Sequence, residues 1–297
     1  MCSSDLEGVY TQASGDGSHA EGFTTQANGN YSHAEGYQTN TNVIAQGSHA
    51  EGGFTETIGV YSHAEGEGTH AVGVGSHAEG STTFANGAHS HAEGGNTSAN
   101  GENSHAEGYN TQANGDFSHA EGDNTQAVGN YSHAEGWRSE AIGDYSHAEG
   151  NQTIAFGNYS HTEGVGAIAS GSYAHAEGRS TNATGDYSHA EGYRNTAIED
   201  YSHAEGESTA AIGIASHAEG NATQAIGTHS HTEGQYTTAS GNWSHAEGFT
   251  NNAIGDWSHA EGHQTSPSGL CSHTEGSLTQ TYAFAHGSHA EGHSTIA

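Results

Sequence analysis

The chain has 297 residues, 46 of them Gly, with one Pro (Pro267), no Lys, three Arg (Arg138, Arg179, Arg194) and a formal charge of −32 with His neutral. Long apolar residues are too few for a Leu/Ile/Phe core, and the lack of basic residues excludes sequence-independent DNA or RNA binding, which needs Lys and Arg to neutralise phosphate; contact with an anionic membrane surface is disfavoured on the same ground. Cys2 and Cys271 make neither a disulfide framework nor a zinc site, and no apolar run reaches the roughly 18 residues of a membrane span.

Residues 1–7 fit no repeat and are set apart as a foreign N-terminus; 1–6 read like a translated sequencing adapter. No secretory signal is visible. The chain stops in mid-repeat at Ile296 and Ala297, so both ends are expected to be those of a fragment. Residues 8–297 are expected to form one continuous repeat domain.

The first Ser-His-Ala-Glu-Gly pentapeptide occupies residues 18–22. It or a close variant recurs twenty times, nearly always fourteen residues apart, the last at 288–292. Fourteen residues split into two sevens of the form [Ser/Thr]-x-Ala-x-Gly-x-x, each read as a five-residue strand and a two-residue turn, with Gly supplying the turn conformation. Strand alternation puts Ser18, Ala20 and Gly22 on one side and His19 and Glu21 on the other. In the second seven, Thr25 and Ala27 point inward, Gln26 and Asn28 outward. Small inward residues let two strands approach closely, so the reading is all-β: a flat, parallel β-roll of about twenty coils, two short strands per coil. Two Gly per repeat, β-branched Thr and a period of two exclude helix.

His33 to His49 and His273 to His289 are each sixteen residues apart. The extra two residues lie within 37–47 and 277–287. An even insertion keeps inside and outside in place, where a single residue would invert them.

Outward positions of the second strand vary freely (Gln26, Glu56, His70, Phe84, Ser98, Ile154), as a solvated face does. Those of the first strand are His and Glu in every copy. The inward side chains bury little surface against the entropy of ordering each coil, so self-association is expected. The invariant rows are the expected intersubunit seam, an interface network carried by His19, Glu21, His33, Glu35, His63, Glu65, His105, Glu107, His133, Glu135, His147, Glu149, His189, Glu191, His245 and Glu247. Stacked carboxylates repel unless each imidazole donates to one, which predicts raised His and lowered Glu pKa values. A metal-binding array on the same rows is the competing reading, since imidazole plus carboxylate suits zinc, nickel, copper or iron. No cofactor is called for.

The residue before the pentapeptide is often aromatic: Tyr31, Tyr61, Phe117, Tyr131, Tyr145, Tyr159, Tyr173, Tyr187, Tyr201, Trp243 and Trp257, with breaks at Gly75, His89, Asn103 and Ala215. Stacked one coil apart, these rings shield an edge; from Tyr131 to Trp257 they are also the candidate strip for a glycan or matrix protein. Catalysis is not expected, because adjacent Ser and His point to opposite faces and cannot pair as nucleophile and base.

The tandem [Ser/Thr]-x-Ala-x-Gly-x-x pattern resembles the head repeats of YadA-like trimeric autotransporter adhesins. Residues 223–227 (Thr-Gln-Ala-Ile-Gly) and 139–143 (Ser-Glu-Ala-Ile-Gly) are most similar to that family's Ser-Val-Ala-Ile-Gly, and comparable Ser-His-Ala-Glu-Gly arrays resemble segments of phage tail or appendage proteins. The resemblance spans residues 8–297. It implies a left-handed roll, a homotrimer, an extracellular location on a cell surface or virion, and a non-enzymatic shaft or head role. Where the family has apolar residues, this chain has His and Glu, so the greasy seam is replaced by a charged one. An end-to-end filament is the alternative assembly.

Overall fold

The computed structural model describes residues 5–297. Strands and turns make up these residues, and no helix occurs among them. They divide into two compact units, one ending at Asn151 and the other spanning Gln152–Ala297. Each is a parallel β-solenoid, with about twenty coils of about fourteen residues between them.

In the first unit, five-residue strands such as His19–Phe23, His33–Tyr37, His77–Ser81 and His91–Gly95 form one face. They pair with His over His, Ala over Ala, Glu over Glu and Gly over Gly. Two-residue strands such as Gln26–Ala27, His70–Ala71 and Phe84–Ala85 form the other. In the second unit the same pattern runs through His161–Val165, His175–Arg179 and His189–Tyr193. There His217–Ala218, His231–Thr232 and His273–Thr274 are cut to two residues, and Asn221 and Gln235 continue the ladder as single bridges.

Side-chain alternation holds throughout. Ala20, Ala27, Ala78, Ala85 and their equivalents are fully buried, as are Ser18 and Thr25. The core is thus a double column of methyls and hydroxyls. In most coils the pentapeptide Ser ties down the preceding corner. The hydroxyls of Ser18, Ser32 and Ser118 donate to the carbonyls of Gly15, Gly29 and Gly115 at 2.6–2.7 Å. Where Thr replaces Ala in the short strand at Thr41 and Thr57, hydroxyls meet across the core, Ser32 with Thr41 at 2.8 Å and Ser48 with Thr57 at 3.0 Å.

The glycines act differently from the expectation. In most coils the pentapeptide Gly lies inside the strand, not in a turn. Gly122 has φ +107°, and a Cβ there would fall 2.2 Å from the carbonyl oxygen of Gly136 in the next coil. Gly73 is needed for approach alone, since its Cβ would fall 1.8 Å from the oxygen of Gly87. Most left-handed corners fall instead on non-glycine residues, such as Thr24 and Tyr31 in one coil and Asn124 and Tyr131 in another, with φ of 57–60°; Gly takes the corner at positions such as Gly17, Gly68 and Gly75. Their N–H groups donate to the previous coil, as Tyr131 does to Asp116 at 2.8 Å, which offsets part of the strain of that conformation.

Two boundaries also differ. Of the segment 1–7, residues 1–4 lie outside the described residues, but Asp5–Val9 is a strand in register with His19–Phe23, so Leu6 stands over Ala20 and Gly8 over Gly22. The second strand is two residues long, not five. Both insertions lie in the corner after it: Asn40 and Thr41 stay in register with Glu56 and Thr57, while Val43 and Ile44 are pushed into solvent, and so is Phe284 in the second insertion. The even insertion therefore leaves inside and outside unchanged, as the spacing predicts.

Candidate functional site

The first-strand ladder brings the pentapeptide His and Glu residues into two parallel rows in each unit. His19, His33, His63, His105, His133 and His147 with Glu21, Glu35, Glu65, Glu107, Glu135 and Glu149 lie in the first; His189 and His245 with Glu191 and Glu247 lie in the second. All are half-buried on the outer face. Imidazoles of successive coils stack with centroids 4.8 Å apart and nearly parallel planes, as in His77 over His91 (1°) and His105 over His119 (2°).

Within a pentapeptide the imidazole Nε2 faces the carboxylate two residues on. His19 and Glu21 reach hydrogen-bond distance at 3.3 Å, and His289 and Glu291 at 3.2 Å. Elsewhere the gap is wider: 3.7 Å for His63–Glu65, 3.6 Å for His105–Glu107, 3.7 Å for His133–Glu135. Nε2 of His63, His77, His91, His105, His119 and His133 is buried without a hydrogen-bond partner. Some carboxylates span two coils: Glu79 lies 3.8 Å from His77 through Oε2 and 3.7 Å from His91 through Oε1. Glu247 does the same for His245 and His259.

This geometry reverses the expected titration. Burial, and after it the stacked neighbouring imidazoles, hold His49, His77, His105, His133, His175, His203, His217 and His245 below the usual imidazole range. The carboxylates diverge. Hydrogen bonding to Glu65 and Glu93 pushes Glu79 up to about 7, and burial raises Glu35 and Glu121. Hydrogen bonds lower Glu93 (to Glu79) and Glu21 (to His19). The physical reason is spacing: a partner 3.6–3.8 Å away cannot offset desolvation plus a like group 4.8 Å above and below.

The aromatic edge forms as expected. Phe117 stacks on Tyr131 (4.9 Å) and Tyr131 on Tyr145 (4.8 Å) in the first unit. In the second, Tyr159, Tyr173, Tyr187 and Tyr201 form a run spaced 4.8–5.1 Å, and Trp243 stacks on Trp257 at 5.1 Å. All eight residues from Tyr131 to Trp257 named for a binding edge are about half exposed. The breaks are explained too, since His89, Asn103 and Ala215 keep the left-handed conformation: the corner demands φ, not a ring. Sequence reasoning missed the residue just before this edge. Asp116, Asn130, Asp186 and Asp256 each accept, through Oδ1, the backbone N–H one coil back at 2.8–2.9 Å. The recurring Gly-[Asp/Asn]-aromatic triplet was the available signal.

A comparison with curated proteins gives no match. Residues 139–160 match the YadA head domain repeat, in two copies, and that match, with a parallel β-solenoid of about twenty coils, identifies the chain as similar to YadA-like head repeats.

Proposed function

We propose that this chain is a rigid, non-enzymatic segment of a surface adhesin or phage fibre, assembled as a parallel homotrimer through the His and Glu rows. YadA-like head domains belong to homotrimeric, surface-exposed adhesins, which supports self-association and an extracellular location. One observation carries the reading to this face: nearly every coil presents the same two polar groups outward, half-buried, with buried Nε2 atoms such as those of His77 and His91 left without hydrogen-bond partners in a single chain. Neighbouring subunits would supply the missing contacts. The non-catalytic reading is supported by the pentapeptide Ser, whose buried hydroxyl is in most coils committed to a corner carbonyl, away from the imidazole, as at Ser18, Ser32 and Ser118. Sedimentation velocity of the full chain tests the assembly. Three-chain particles are expected, reduced to monomers by His→Ala at His77, His91, His105, His119 and His133 but not by Gln→Ala at Gln112 and Gln126 on the opposite face. A monomer at micromolar concentration overturns it.

A second reading rests on the stacked, half-exposed rings at Tyr159, Tyr173, Tyr187 and Tyr201. Such a strip suits weak, repeated contacts with glycans or a matrix protein. Binding on a glycan array that Tyr→Ala at these four positions abolishes would support it; an array with no signal for the unmodified chain would end it.

A further inference from the structure

Around His91 the rows place three donor atoms together. Its Nε2 is buried with no hydrogen-bond partner. It lies 3.6 Å from Oε2 of Glu93 in its own coil and 3.7 Å from Oε1 of Glu79 in the coil before. These gaps are long for an N–H···O bond. They suit two ligands on one ion, since bonds of about 2.0–2.2 Å at a tetrahedral angle hold donor atoms about 3.4 Å apart. An open groove of about 540 Å³ is lined by Glu51, Glu65, Glu79 and Glu93 with Gly66, Gly80 and Gly94, so a hydrated ion has an approach to the carboxylate side of the rows.

We propose that the His and Glu rows bind divalent transition-metal ions, zinc or copper, each held by one imidazole and the carboxylates of two successive coils. Groups of His, Glu and the next His with ligand atoms within 4.8 Å of one another recur along the rows, from His33–Glu35–His49 to His91–Glu93–His105 and beyond. Two stacked imidazoles do not share one ion, because their rings are 4.8 Å apart and two metal–nitrogen bonds of about 2.1 Å span at most about 4.2 Å. One imidazole and two carboxylates remain, which balance a 2+ charge and leave positions for water. If each carboxylate serves one ion, the array takes about one ion per two coils. The nitrogen donor favours zinc and copper over calcium and magnesium, which prefer all-oxygen shells.

The test is equilibrium dialysis of the full chain against zinc chloride, with elemental analysis and zinc-edge X-ray absorption. The expected content is on the order of ten zinc ions per chain, with imidazole nitrogen in the metal's shell. His→Asn at His63, His77, His91, His105 and His119 should remove about a quarter of them, with the circular dichroism spectrum unchanged. An oxygen-only shell in the unmodified chain, one ion or fewer per chain, or equal displacement by millimolar calcium overturns the proposal. Sedimentation of the same samples reports assembly separately, so the two proposals fail independently.

Discussion

The carbonyl oxygen of Gly136 occupies the place where an alanine at position 122 would put its Cβ, 2.2 Å away. Gly122 also sits at φ +107°, which L side chains rarely adopt. Gly122→Ala is therefore expected to destabilise the first unit by about 3 kcal/mol, from strain and the forced separation of two coils. Gly53 is the control, since a Cβ there meets nothing within 4 Å. Gly53→Ala should change the denaturation midpoint little. Equal effects of the two substitutions would contradict the account.

Buried hydroxyls are not equivalent. Ser118 donates to Gly115 at 2.6 Å, whereas Thr111 Oγ1 is buried without a partner. Ser118→Ala should cost about 1 kcal/mol, and Thr111→Val should be neutral or stabilising. Urea denaturation of the two variants checks the order. A larger loss for Thr111→Val would show that its hydroxyl is bonded in solution.

Acid should weaken the fold. Eight imidazoles, among them His77, His105 and His133, titrate below their ordinary value because of burial and stacking. The unfolded chain then takes up the extra protons, so their contribution is complete above about pH 6.5 and is lost as pH falls through the depressed values. Glu79, raised to about 7, runs the other way: its contribution is complete below the ordinary carboxylate value and is lost as pH rises through 7. The imidazoles outnumber the raised carboxylates, so the melting temperature should fall between about pH 7 and pH 5. His→Asn at His77, His105 and His133 should flatten that slope. A melting temperature that climbs on acidification would refute the stacked-row account.

At the aromatic edge, strain and stacking oppose each other. Tyr131 has φ +57° and stacks on both Phe117 and Tyr145. Tyr131→Ala loses the stacking and keeps the strain, at a cost of about 1 kcal/mol. Tyr131→Gly relieves the corner and should be the milder change. Thermal melts rank the two, and the reverse order would mean that the corner is unstrained.

Much of this architecture is legible in the repeat itself. Alternation separates Ala20 from His19, and the even insertions show where the register has to survive, because a period of two leaves no freedom over faces. The corners are not legible, because Gly ordinarily marks positive φ; here Gly73 serves close approach, and Tyr31 and Thr24 take the left-handed conformation. The rows are legible, but not their titration. Its direction depends on whether a carboxylate stands within bonding distance of Nε2 or, as for His63 and Glu65, at 3.7 Å, and a repeat pattern does not carry that difference.

The corner after the short strand tolerates growth. Val43, Ile44 and Phe284 loop outward there while the ladders on either side keep their partners. At each of these two corners a pair of residues is thus added without changing the register of the ladders on either side. Each unit has a mounting point, where a new loop can be hung on an unaltered ladder.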